Sequence, residues 1–195
     1  MSAWIEMIQD SDASPKLLQT LELARTPAGT VDNVMRVHSL RPHTMEGHVA
    51  LYRAALHNEN NTLPLWFLET IASYVSIINR CEYSLANHWS NAATLIGDST
   101  RSDAVRTALD TLQPEKAFEG AELLMLSYAA KLTAHPGDMQ RADVQVMQDA
   151  GVSDGEILEV NQVVGYFCYA NRLLNGLGVS LAGDVIGYYE QRQPE

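Results

Sequence analysis

Cysteine is scarce: Cys81 and Cys168 are the two in 195 residues, too few for the disulfide framework of a small secreted protein. A reducing, cytoplasmic setting is expected. No apolar run approaches the ~20 residues needed to cross a bilayer. The amino-terminal stretch has neither a basic region nor a sustained apolar segment, so a soluble chain without membrane contact is expected. Cations are few: 13 Lys+Arg against 24 Asp+Glu leave a net charge of −11. A surface that tracks phosphates needs the opposite balance, which argues against nucleic acid as a partner. The 12 glycines form no phosphate-cradling motif. Sustained period-two alternation is also missing, which leaves an all-α class.

What remains is a globular composition, 46% hydrophobic and 19% charged, and no Pro-, Gly- or Ser-rich linker divides it. A single domain over residues 1–195 is expected. Ser14-Pro15 has the form of a helix start, followed by a stripe of Leu17, Leu18, Leu21 and Ala24 that Thr26-Pro27 should stop. Short helical patterns cover 31–38 and 103–112, and Arg41-Pro42 opens a longer one with Met45, Val49, Tyr52 and Leu56 inward. Pro64 begins a segment that is apolar almost all round, as expected of a helix enclosed by the bundle or by a partner chain. Further helices are expected from Arg80 to Ile96, from Pro114 to Pro136 and over 142–150. The last long helix opens on a Ser153–Glu156 capping box and ends at Asn175-Gly176, with one or two further turns after Gly183.

Reactive residue types concentrate between Glu69 and His88. On one continuous helix Glu69 and Cys81 would lie ~18 Å apart, so chemistry between them requires a break. Asn79, with Glu82 three residues on, supplies a capping pattern and places a tight hairpin there. Counting outward from Asn79, Glu69 comes level with His88 and Ser73 with Ser84. Glu69, Ser73 and Ser76 share one helical face, and Cys81, Ser84 and His88 share another. Two polar stripes then face each other inside an apolar hairpin. Cys81, near a helix start, gains from free amides and the positive dipole end, which favour the reactive thiolate. The plain alternative is that Glu69 and His88 form a buried pair that fixes helix register.

This spacing resembles the Glu-x11-Cys-x2-Cys-x3-His pattern of alkylhydroperoxidase D-like proteins in the carboxymuconolactone decarboxylase superfamily. HVALYRAAL at 48–56, GVSDGEILEV and YANRLLNGLGV resemble its peroxidase-related branch. The resemblance implies a multi-helix bundle, a homo-oligomer (a dimer or a trimer of dimers), no bound cofactor, and a hydroperoxide as substrate. It also implies a redox cysteine pair served by a Glu–His proton relay, with Glu69, Cys81 and His88 at the matching positions. The second motif cysteine is Ser84 here, and that position is one turn from His88, whereas Cys81 is two turns, ~10 Å, away.

The expected function is a peroxidase-like thiol oxidoreductase, with Cys81 as the redox thiol restored by an external thiol reductant, His88 as proton-transfer base and Glu69 as its orienting partner. The alternatives are that Ser84, His88 and Glu69 form a nucleophile, base and orienting acid, that the site does non-redox proton transfer on a small carboxylated lactone, or that it is silent. Cys168, in the apolar run VVGYFCYA, is expected to be a buried filler. The spacing of His38, His43 and His48 puts no three ligands on one helical face, so no metal is expected. His48, in the family-like helix, is expected at the surface or behind the pocket, with lining the pocket as the alternative.

Overall fold

The computed structural model describes residues 2–26 and 28–188. The stop expected at Pro27 lies partly outside them, as do any turns beyond Tyr188. The described chain is helical, in the order α1 (Pro15–Glu22), α2 (Asn33–Arg36), α3 (Pro42–Leu56), α4 (Leu65–Ile78), α5 (Glu82–Ile96), α6 (Ser99–Asp110), α7 (Gly120–Ala134), α8 (Arg141–Asp149) and α9 (Asp154–Leu177). Local chemistry sets the starts. The Ser14 hydroxyl accepts from the Leu17 amide with Pro15 at the first helical position, and Ser153 and Glu156 cap each other's backbone at α9.

Helix α4 is the axis. Every residue from Phe67 to Ser76 is buried, because α4 packs most extensively against α5, then against α9 and α7. Its all-round apolarity is therefore satisfied inside one chain, and the reason it offered for a partner subunit falls away. Phe67, Leu68, Ile71 and Val75 are at most 1% exposed, each stabilising the fold by about 1.5–3 kcal/mol through lost water contact.

The hairpin lies at Asn79, but Asn79 closes α4 instead of opening α5. Arg80 adopts φ 53°, its amide donates to the Ile77 carbonyl, and the Cys81 amide donates to the Ser76 carbonyl (3.0 and 2.8 Å). This is a Schellman closure with arginine where glycine is usual. Cys81 is then the cap residue of α5 and not its second residue. Other boundaries move: α6 starts at Ser99, capped by Asp98, and not at 103, and α2 is shorter than 31–38. Pro114 starts only a 3-10 turn before Gly120 begins α7. Helix α9 runs through Gly176 to Gly178, whose left-handed φ of 59° ends it beneath the Trp4 ring. After Gly183 the described residues form no helix.

Candidate active site

The hairpin brings Glu69 and His88 together. His88 Nδ1 donates to Glu69 Oε2 at 2.6 Å, and Asn91 Nδ2 donates to the other oxygen, Oε1, at 3.1 Å. Glu69 is wholly buried, so both carboxylate oxygens are served where an unpaired charge would be costly. The His88 ring stands edge-on to Phe167, with centroids 4.5 Å apart. With Nδ1–H committed to Glu69, the neutral ring carries its lone pair on Nε2.

Ser84 pairs with Ser76 and not Ser73: the two hydroxyls are 2.9 Å apart. Ser76 also reaches the Ala72 carbonyl at 2.8 Å. Ser76 Oγ–H is the donor in both contacts, its one proton shared between the Ala72 carbonyl and Ser84 Oγ. The Ser73 hydroxyl instead donates to the Glu69 carbonyl at 2.8 Å.

Cys81 does not join the group. A cavity of about 40 Å³ is lined by Ser84, His88, Tyr52, Tyr166, Asp32 and Tyr188 among others, and Cys81 is not among its lining residues. Cys81 is 1% exposed, in an apolar cluster with Ala3, Val37, Leu174 and Val179. Burial pushes its thiol up, only partly countered by the backbone amides of Ser84 and Tyr83. The helix-start advantage expected for the thiolate is therefore outweighed by desolvation. Cys168 is half-buried, not buried, with the Asn79 side-chain amide 3.7 Å from its sulfur, and both cysteines are free.

One wall of the cavity is Tyr188, at the end of a segment, 179–188, whose contacts the sequence did not mark. Tyr188 donates through its hydroxyl to Asp32 Oδ2 at 2.7 Å and through its amide to Asn91 Oδ1 at 2.9 Å. Asp184 accepts from the Asn33 amide at 3.0 Å and from the Tyr83 hydroxyl. Burial pushes both Asp32 and Asp184 above the usual carboxylate range, against hydrogen bonds that pull them down. Asp32 Oδ1 is buried without a partner among the described residues. On the far side of Met35, Tyr52 and Tyr188 lies an open cleft of about 500 Å³ bordered by Arg25, Arg53 and His57.

Behind Tyr166 runs a buried histidine chain. Thr44 donates to the Arg41 carbonyl at 2.8 Å, so towards His38 it only accepts. His38 Nδ1–H donates to Thr44 (2.7 Å), His48 Nδ1–H to His38 Nε2 (2.8 Å), and the Tyr166 hydroxyl to His48 Nε2 (2.8 Å). Every ring nitrogen of the two histidines is engaged. Burial lowers both, His48 to about 3 with His38 adding to the shift. His48 is 2% exposed, so it lies behind the pocket and not at the surface. His43, exposed, takes no part. Of the residues the sequence reading passed over, Asn91 alone had a local signal, standing three residues after His88 on the same helical face.

The all-α fold is of the alkylhydroperoxidase D-like type. The chain is similar in structure to the alkylhydroperoxidase AhpD core of an uncharacterized peroxidase-related protein from Ralstonia eutropha JMP134 (18% identity, 92% of each chain covered, TM-score 0.78). An uncharacterized peroxidase-related protein from Silicibacter sp. TM1040 matches at 23% identity over 91% of each chain, TM-score 0.77. The debrominase Bmp8 matches at 15% identity over 92% of this chain and 91% of its own, TM-score 0.71. No protein-family model and no curated protein matches the sequence. Among the described residues no helix is long and apolar enough to cross a membrane.

Proposed function

We propose that the chain is an acid–base enzyme in which His88 Nε2 exchanges a proton with a small substrate while Glu69 orients the ring. The observation that carries this is the partition of the motif: His88 and Ser84 border the cavity and Cys81 does not. A base needs its lone pair within reach of the substrate and a fixed tautomer, and the Glu69–His88 bond provides the second. Glu69 and Asn91 hold the ring, and Ser84 contributes a polar wall.

The substrate class is a small lactone or related ring acid. The cavity lining carries Asp32 and, among the described residues, no Lys or Arg. A substrate carboxylate is therefore directed outward, to the cleft where Arg53 stands. The test is solvent-deuterium exchange into muconolactone, followed by NMR. Wild type and Cys81→Ser exchange alike, and His88→Gln does not.

The peroxidase reading has support of its own, from the two peroxidase-related structures of the same fold. In it Cys81 reduces a hydroperoxide, becomes a sulfenic acid and is restored by an external thiol. Turnover of tert-butyl hydroperoxide with dithiothreitol, lost in Cys81→Ser, is its signature. A homo-oligomer, as the resemblance implies, belongs to either reading and is read by light scattering.

A further inference from the structure

The inner cavity of about 40 Å³ holds roughly three waters, at about 10–15 Å³ each. No ring fits beside His88 in this arrangement. The adjoining cleft of about 500 Å³ is large enough, and Met35, Tyr52 and Tyr188 border both spaces. Tyr188 is the partition that belongs to the terminal segment.

That segment is attached by polar contacts more than by apolar ones. Val185 and Ile186 are 45% and 42% exposed. The inward attachments are Asp184 to the Asn33 amide and the Tyr83 hydroxyl, Gly187 N–H to Asn87 Oδ1 at 3.4 Å, and the two bonds of Tyr188. Asn33 Nδ2 also holds the Ser180 and Ala182 carbonyls at 3.0 Å. Segments with few buried apolar contacts open at low free energy.

One of these attachments continues into the Glu–His pair. The Tyr188 amide donates to Asn91 Oδ1 (2.9 Å), and Asn91 Nδ2 donates to Glu69 Oε1 (3.1 Å). The orientation of the Asn91 amide is fixed, because its oxygen meets an N–H and its nitrogen a carboxylate. We infer that residues 184–188 are a lid over the substrate site, and that Asn91 is a positioning residue that ties the Glu69–His88 geometry to lid closure. With the lid open, cleft and cavity merge and a ring reaches His88. With it closed, Asn91 is held from above and in turn fixes the carboxylate that fixes the imidazole. The nature of the ligand rests on the acid–base reading, but the coupling does not.

The experiment therefore uses no substrate. A methyl group at Gly187 would lie 2.5 Å from Ser90 Oγ and 3.7 Å from Asn91 Oδ1, at a φ of 77° that disfavours any side chain, so Gly187→Ala displaces the lid from Asn91 without touching Glu69 or His88. The readout is the downfield NMR signal of His88 Nδ1–H. In Gly187→Ala the signal shifts and its proton exchanges with water at least ~10-fold faster. Asn91→Ala produces the same change, and the double variant goes no further than Asn91→Ala alone. An unchanged signal in Gly187→Ala, or a further change in the double variant, overturns the coupling. If Asn91→Ala does not fold, Tyr188→Phe, which loses only the bond to Asp32, takes its place: its signal moves in the direction of Gly187→Ala, and a signal left at the wild-type position overturns the lid. Muconolactone exchange could fail for every protein while these shifts are still seen, so the two proposals fall separately.

Discussion

Cys81 and Ser84 stand one helical turn apart at the start of α5 yet open into different compartments: Ser84 borders the His88 cavity, and Cys81 is enclosed by an apolar cluster that includes Ala3 from the amino-terminal segment. A redox thiol placed three residues further along would have shared a chamber with the base. The natural thiol does not.

Ser84→Cys therefore puts a thiol into the cavity. Dithiothreitol-dependent turnover of tert-butyl hydroperoxide should rise at least ~100-fold over wild type, the lower end of what a positioned base contributes. A coupled thiol-consumption assay reads it. The Ser84 bond to Ser76 is lost at the same time, so the variant should unfold about 1 kcal/mol more easily.

Glu69→Ala leaves His88 and Asn91 facing a space where a carboxylate served both. Removing one member of a buried, hydrogen-bonded pair costs about 3–5 kcal/mol, and urea denaturation should report a loss of that order. Glu69→Gln keeps the shape and should lose less.

Acid should weaken the fold through His48. Its folded-state value lies at about 3, against an ordinary 6.5, so between those limits the unfolded chain binds the extra proton. The contribution is fully present above pH ~6.5 and is lost as pH falls towards 3, at about 1.36 kcal/mol per pH unit for one proton. His48→Gln should be less stable than wild type at pH 7 and have a shallower acid slope by up to that amount, measured as the difference between the two proteins' stability curves.

Arg80 holds a left-handed φ of 53° with its side chain exposed. Glycine relieves the steric cost of about 1–2 kcal/mol while adding entropy to the unfolded chain. Arg80→Gly should be as stable as wild type or more so, by up to about 1 kcal/mol, whereas Arg80→Val should be less stable. Thermal unfolding separates the two.

The level pairing of Glu69 with His88 was legible because an antiparallel hairpin converts sequence distance from the turn into height, and Asn79 marked the turn. The cap itself was not legible, because a non-glycine residue at positive φ leaves no mark in the sequence, and Arg80 is such a residue. Ser84 pairs with Ser76 and not Ser73 because crossing helices do not keep a single register along their length. Whether Cys81 faces solvent depended on Ala3, Leu174 and Val179 closing over it, contacts that no local pattern encodes. The lid was hidden for the same reason: Asp184 meets Tyr83 and Tyr188 meets Asn91 across about half the chain. The histidine spacing of five concealed that His38 and His48 bond to each other once the bend at Pro42 folds them together.

Deuterium exchange into muconolactone, compared among wild type, Cys81→Ser and His88→Gln in one NMR series, tests the central claim most directly. The account predicts equal exchange for wild type and Cys81→Ser, with a loss of at least ~100-fold in His88→Gln. Exchange that disappears with Cys81 and survives the loss of His88 would contradict it.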